Sequence, residues 1–265
     1  MIKAWLKYRE VGLTTMRSRW AYIWEQVLSA VFMMVVIFVF VQLWRVTFGA
    51  ESAEIEGFTL NEMIWYLVAT ESIVWSLPRV HGVIEQEVKT GDLAMRLNKP
   101  YSYLLFHYSA FLGEGILRLA TALLVMGLTA FLTVGGFDFR WEAIPVLLVV
   151  YVTTSGLHFC FNGAIGLAAF WMEDIQGLYL LLDRLKWLAG GLLLPVELYP
   201  GLARQVVEVL PFQHMIAGPS RLFVKSSWAG AWQLWQTQLI WALVFGLLCA
   251  GIYRLGVRRV DVNGG

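Results

Sequence analysis

The chain has 265 residues, of which 58% are hydrophobic and 15% charged, with 13 Trp and a net charge of +1. Six stretches are each apolar for about the length that crosses a bilayer, and nothing between them is large enough to fold as a soluble catalytic domain. The basic residues divide among short segments without an aromatic-interleaved platform, which leaves nucleic-acid binding without support.

In chain order, residues 1–20 place Trp5, Leu6, Tyr8, Leu13, Met16 and Trp20 among basic residues, which predicts a helix lying in the headgroup region. Two roles fit it, a topology anchor or a mechanical elbow joined to the first span. Its basic region runs to Arg19 with no small-residue cleavage site soon after, so the segment reads as a retained start rather than a cleavable signal. Helical crossings are expected near residues 23–43, 60–77, 104–134, 143–170, 175–194 and 234–253, because lipid offers backbone amides no partner outside a helix or a closed barrel.

Charge placement gives the expected topology. Lys3, Lys7, Arg9, Arg17 and Arg19 precede span one; Arg79, Lys89, Arg96 and Lys99 separate spans two and three; Arg254, Arg258 and Arg259 follow span six. The alternate segments carry Glu51, Glu54, Glu56, Asp138, Glu142, Glu197 and Glu208 against fewer basic residues. The positive-inside rule then predicts a multi-pass protein of the cell's inner or plasma membrane with both termini cytoplasmic.

Span two carries Glu71 and Trp75 one turn apart. An acid at that depth is costly unless paired, protonated or wet, so Glu71 is either a cavity carboxylate or one satisfied by another span. A Trp ring nearby can hold a lipophilic cation on its face. The following connection, 79–100, reads RVHGVIEQEVKTGDLAMRLNKP, with Val80, Val83, Ile84 and Val88 near helical spacing, Glu85, Glu87 and Lys89 between them, and Gly91 as a stop. A short amphipathic helix is predicted, resting either on the ends of the spans or in a groove of a soluble partner.

Span three is long enough to bend at Gly113 and Gly115, and Glu114 and Arg118 are spaced to pair on one face. Span four stacks Ser155, His158 and Asn162 on one face beside a small-residue face of Gly156, Cys160 and Gly163, which admits either a cavity lining or interhelical hydrogen bonding. Span five contains DRLKW, where Asp183 can pair with Lys186 or Arg184. Beyond it, ELYPGLARQVVEVLPFQHMIAGPSRLF is neither polar enough for a free loop nor continuous enough to span. Leu202, Val206, Val209 and Leu210 form one apolar face there, predicting short helices that dip into the outer leaflet or cap the bundle. Cys160 and Cys249 are lone cysteines inside spans, so neither a disulfide framework nor a metal site is indicated. No GxxxxGK[ST], HExxH or GxSxG motif occurs, and no catalytic residues are expected.

Several elements converge on one resemblance: the basic amphipathic start, six spans with both ends inside, EQEVKTGDLAMRLNKPYSYL after span two, and GGLLLPVELYP followed by LPFQHMIAGPSRLF after span five. Over essentially the whole length the chain resembles the ABC-2 type permeases, the membrane subunits of ATP-binding-cassette exporters. The resemblance implies an all-helical, single-domain membrane bundle with six transmembrane helices, an interfacial helix at 1–20, a coupling helix at about 83–90 within 79–100, and external re-entrant helices within 197–225. It implies coupling to the ATPase through Val83, Ile84, Glu85, Glu87, Val88 and Gly91. It also points to spans two and five as pathway lining, with Glu71, Trp75, Asp183 and Trp187 as candidates beside His158 and Asn162 of span four. The implied partners are two cytoplasmic ATPase subunits, which bind the ATP and Mg, and a second permease, identical or homologous; no cofactor is expected in this chain. The expected activity is ATP-driven export of a hydrophobic or amphipathic compound such as a drug, lipophilic cation, peptide or lipid. Two rivals are a self-contained proton-coupled carrier, against which no internal repeat is visible, and a membrane scaffold or sensor that transports nothing.

Overall fold

A computed structural model of the chain describes residues 2–49 and 54–263, with side chains at 5–49 and 54–259, so Glu51 and the Lys3 side chain lie outside the described residues. The described residues are helical apart from turns and a single isolated bridge between Ile55 and Phe58. Helix α1 (Ile2–Trp20) turns at Ala21 and Tyr22 into α2 (Ile23–Phe48). Then come α3 (Leu60–Trp75), α4 (Val80–Thr90), α5 (Asp92–Leu97), α6 (Tyr103–Val134) and α7 (Ile144–Leu167). The rest is α8 (Gln176–Ala189), α9 (Gly201–Val209), α10 (Phe212–Met215), α11 (Ala217–Val224) and α12 (Trp228–Asn263).

Four helical stretches are long and apolar enough to cross a membrane: Ile23–Phe48, Tyr103–Val134, Trp141–Phe170 and Trp228–Arg259. They correspond to the first, third, fourth and sixth of the six expected crossings. The second and fifth expected spans form helices of only 16 and 14 residues, about 24 and 21 Å at 1.5 Å per residue against a hydrocarbon layer of about 30 Å. Helix α3 begins at a capping box, in which the Thr59 hydroxyl accepts from the Glu62 amide and the Glu62 carboxylate accepts from the Thr59 amide. Helix α8 stops at Gly190, and the next residue, Gly191, has φ +72°, a backbone conformation only glycine adopts without strain. Apolar residues continue past that stop, so hydropathy alone overestimates the helix.

Interhelix contacts fix the directions. Arg45 near the end of α2 donates to the Thr133 carbonyl near the end of α6, so these helices run the same way. Asn61 and Trp65 at the start of α3 donate to the Val134, Gly135 and Gly136 carbonyls, so α3 runs back. The stacked rings of Tyr103 and Tyr253, 5.6 Å apart, and the hydrogen bond from Arg259 to the Phe170 carbonyl place the last turns of α12 beside the start of α6 and the end of α7. Lys7 donates to the Pro100 carbonyl, and the Ser102 amide donates to the Tyr8 hydroxyl. The bases of α1, α4 to α6 and α12 therefore gather at one end, which carries Lys7, Lys89, Arg96, Lys99 and Arg259.

Helix α6 continues unbroken through Gly113 and Gly115, where a bend was expected. Those glycines serve close packing instead. A Cβ on Gly113 would overlap the Gly12 backbone of α1, and one on Gly115 would meet the Tyr151 hydroxyl at 3.0 Å and the Ser76 carbonyl at 3.3 Å. Glu114 pairs with Arg118 as its spacing predicts, at 2.5 Å, and also with Arg19 of α1 at 3.1 Å. Helix α1 is thus fastened across the lower part of α6 by a backbone contact and an ion pair.

Candidate functional site

Two groups of residues make up the site: the polar helix α4 at the basic end, and the polar side chains on α3, α7 and α8 deeper in the bundle. Helix α4 carries an apolar stripe that seats it on α7. Val80 and Ile84 are buried, Gly166 lets the His81 backbone approach, and Gly163 packs near Ile84 and Cys249. Gly91 then adopts a left-handed φ of +79°, ending α4 and starting α5 at an angle.

The six expected coupling residues divide by orientation. Val83 is 48% exposed, Gly91 is exposed, and Glu85 and Val88 are half-buried, with Glu85 paired to Lys89 at 2.7 Å. Ile84 and Glu87 face the protein's own interior, so neither presents a surface to a partner. Glu87 accepts hydrogen bonds from the Tyr103 hydroxyl at 2.7 Å and His107 Nε2 at 3.0 Å, and its other oxygen pairs with Arg96 at 3.0 Å. Burial works against the charged carboxylate, but the hydrogen bonds from His107 and Tyr103, with the charges of His107 and Arg96, prevail and hold its pKa below the ordinary value. One carboxylate thereby joins α4, α5 and α6. Met95 on α5, 65% exposed, and Gln86 extend the outward surface beside Val83; the break at Gly91 hid Met95 from a single-helix reading.

His81 stacks on Tyr179 of α8 with ring centroids 3.6 Å apart. Burial pushes its pKa down to about 4 from the ordinary 6.5, with the nearby Asp183 carboxylate opposing and Lys186 adding to the shift. The ring is therefore neutral near pH 7, as a stacked, buried imidazole requires.

Deeper in the bundle, Asp183 takes Lys186 as its partner at 2.6 Å, and both are buried. The Lys186 ammonium lies 5.7 Å from the Phe161 ring. His158, fully buried on α7, donates from Nε2 to the Met215 carbonyl at 3.1 Å, while its Nδ1 has no protein partner. Asn162 Oδ1 and Trp187 Nε1 are likewise unpartnered among the described residues. Of the span-four residues, Ser155 bonds its own helix through the Tyr151 carbonyl. The small-residue face does what small residues allow: Gly156 admits Tyr108, and Gly163 admits Cys249. His158, Asn162 and Asp183 are therefore enclosed by helices, whereas Glu71 is half-buried with no hydrogen bond or ion pair among the described residues, and Trp75 packs against the cluster shared by α2, α3 and α6. Trp187 packs in the cluster between α7, α8 and α12, and its outer side carries the Arg184 guanidinium, 4.1 Å from the ring.

Beyond α8 the chain folds back into the bundle. The Tyr66 hydroxyl donates to the Gly191 carbonyl, the Thr70 hydroxyl to the Leu192 carbonyl, and the Ala217 amide to the Gly190 carbonyl. Met215, Ile216 and Ser220 are fully buried, whereas Leu202, Val206 and Val209 of α9 are 78%, 59% and 74% exposed. The expected apolar face of α9 is present and points away from the protein. No group of three or more His, Cys, Asp or Glu side chains among the described residues is arranged to hold a metal ion.

In comparison with known proteins, the family model described as "ABC-2 family transporter protein" matches residues 31–264. No curated protein matches the chain.

Proposed function

The chain belongs to the ABC-2 family of transporter proteins, and from that premise we propose that it is the permease subunit of an ATP-binding-cassette exporter, carrying a hydrophobic or amphipathic compound outward. The basic end faces the cytoplasm in this reading, since Lys and Arg favour that side. The helices α3 and α8 complete their crossings with the short segments that flank them, giving six passages in all, and α9 to α11 form an external re-entrant segment. Two ATPase subunits bind ATP and Mg and dock against α4 and α5, and a second permease completes the pathway at the face formed by α3 and α8. Glu71 and Trp187 border that pathway, Trp75 packs behind it against α2 and α6, and His158, Asn162 and Asp183 hold its supporting helices in register.

The observation that carries the reading is the Glu87 junction. A polar helix at the basic end, with Val83, Gln86 and Met95 turned outward, is tied through one buried carboxylate to the start of the longest central helix but one. A push on α4 is thereby delivered to α6. The physical requirement is that the motor's two nucleotide states contact the permease differently.

The test is reconstitution with the ATPase that co-purifies. Val83→Asp and Met95→Asp should abolish ATP-dependent transport of a lipophilic dye while leaving the thermal unfolding midpoint unchanged; transport that survives both substitutions contradicts the docking site. The unpaired Glu71 favours one second reading, a proton-coupled carrier. Dye movement driven by a proton gradient in vesicles lacking any ATPase would establish that alternative.

A further inference from the structure

We propose that the chain holds a phospholipid by its headgroup in the cleft between the starts of α7 and α12, and that the lipid it selects is zwitterionic with a primary ammonium. The inference goes beyond the transport reading and needs only that the stretches Trp141–Phe170 and Trp228–Arg259 cross a bilayer. Three observations carry it.

First, the cleft sits where a membrane surface has to lie. The two crossing stretches begin at its sides, at the end of the molecule away from the basic cluster. Trp141, Trp228 and Trp232, 75%, 70% and 58% exposed, flank it, and Trp is a residue type that favours the headgroup layer. The rim is held in place from behind, where the Phe139 ring packs 5.2 Å from Trp141 and 5.4 Å from Phe223. The cleft has about 50 Å³ of room, where one water needs about 10 to 15 Å³, so a phosphate group fits.

Second, its lining is graded along the direction a lipid would take. Arg140, Glu142 and Ser226 form the polar lip, and Val146, Leu222 and Ala231 form an apolar wall. Leu222 and Ala231 belong to a core cluster with Val150 and Leu234, against which Val146 packs. Further along the same two helices, Leu148 and Val152 of α7 and Leu239 and Leu243 of α12 are exposed apolar surface for acyl chains. A soluble phosphate ester has no use for such a wall.

Third, the lip carries one unspent charge of each sign. At this end Arg204, Arg221 and Lys225 pair with Glu208, Glu197 and Glu62, and Arg45 donates to the Thr133 carbonyl. Arg140 forms no ion pair among the described residues; its hydrogen bond, at 3.4 Å, goes to the neutral Ser226 carbonyl. The remaining donors of its planar guanidinium match phosphate oxygens. Glu142, two residues on, is exposed and has neither an ion pair nor a side-chain hydrogen bond among the described residues. A net anionic headgroup would bring its charge against that carboxylate without compensation. A primary ammonium donates to it, which a trimethylated amine has no hydrogen to do.

The experiment uses the full chain purified in detergent, with no ATPase and no cargo, so that its failure is separate from failure of the transport reading. Bound lipid is counted by native mass spectrometry as phosphatidylethanolamine, phosphatidylcholine or phosphatidylglycerol is titrated in. Phosphatidylethanolamine is expected to bind at the lowest concentration. Arg140→Gln should weaken binding of phosphatidylethanolamine and phosphatidylcholine alike, by about tenfold. Glu142→Gln should abolish the preference between those two and leave phosphatidylcholine binding unchanged. Both side chains are exposed, so the unfolding midpoint of each variant should match the parent's. On the unsubstituted chain, phosphatidylethanolamine with a photoreactive acyl chain should label peptides from the first halves of α7 and α12, a readout that requires no variant to fold. A preference for phosphatidylglycerol, binding indifferent to both substitutions, labelling confined to other helices, or displacement by free phosphoethanolamine as effective as by the intact lipid would each overturn the proposal.

Discussion

Glu87 shows how a single side chain can be assigned to the wrong surface. Its place among Glu85, Lys89 and Gln86 in a polar segment suggests an outward carboxylate, yet it points inward because Tyr103 and His107, one turn apart on α6, supply donors that sequence spacing on α4 cannot reveal. Removing it strands the partially buried Arg96 and His107. Glu87→Ala should therefore cost about 3 kcal/mol, read as a lower unfolding midpoint in detergent. Because its pKa is depressed in the fold, Glu87 stabilises fully above the ordinary carboxylate range and loses that contribution as pH falls through its lowered value. His81 acts over a higher window. Its folded pKa of about 4 lies below the ordinary 6.5, so the unfolded chain binds the extra proton first and stability declines as pH drops from 6.5 toward 4. His81→Phe keeps a ring against Tyr179 without a titrating group, and its unfolding midpoint should vary less with pH across that window than the parent's. By contrast, the Glu114–Arg118 pair was legible directly, since i,i+4 spacing puts both on one helix face, and of the two partners open to Asp183 the fold takes Lys186 at i+3 rather than the adjacent Arg184.

Among elements, the long helices follow from hydropathy, and their bounds at residues 23 and 134 coincide with the expected ones. The short ones do not, because a hydropathy profile counts apolar side chains and is blind to where backbone hydrogen bonding stops. GGLLLP reads as continuous span, but the turn at Gly190 and Gly191 hands its carbonyls to Ala217 and Tyr66. The packing of α1 along α6 was hidden for a related reason: Gly113 suggested a hinge, and only the tertiary fold shows that Gly12 fills the space beside it. Gly113→Leu should lift α1 from α6, because the clash is with backbone that cannot rotate away. Limited trypsin digestion at Arg9 and Arg17 would report this as faster cleavage, and an unchanged cleavage rate would count against the contact.

For the whole molecule, the clustering of helix ends makes a prediction about sidedness. With the basic end in the cytoplasm, a cysteine placed at Lys89 should react with an impermeant maleimide only in inside-out vesicles, and one at Arg204 only in right-side-out vesicles. The reverse pattern would put α4 beyond the reach of ATP. The all-helical architecture was readable from hydropathy, a one-dimensional property of the chain, and the family from its resemblance in the segments EQEVKTGDLAMRLNKPYSYL, GGLLLPVELYP and LPFQHMIAGPSRLF. The surroundings of the candidate pathway residues were less so: enclosure of His158, Asn162 and Asp183, against the partial exposure of Glu71, depends on which helices happen to neighbour α7 and α3.

The meeting of Gly12 and Gly113 has a mechanical corollary. Contacts run along most of α1, from Tyr8 at Ser102 through Gly12 at Ser109 and Gly113 to Arg19 at Glu114, so α1 and α6 behave as two rods lashed side by side, with no side chains at the glycine contact to cushion relative movement. Trp5 and Trp20, 70% and 63% exposed toward either end of α1, are the residue type that favours the headgroup layer. A tilt of α6 would carry α1 with it, so in the proposed permease the resistance of the surrounding lipid to α1 becomes part of the work of each transport cycle.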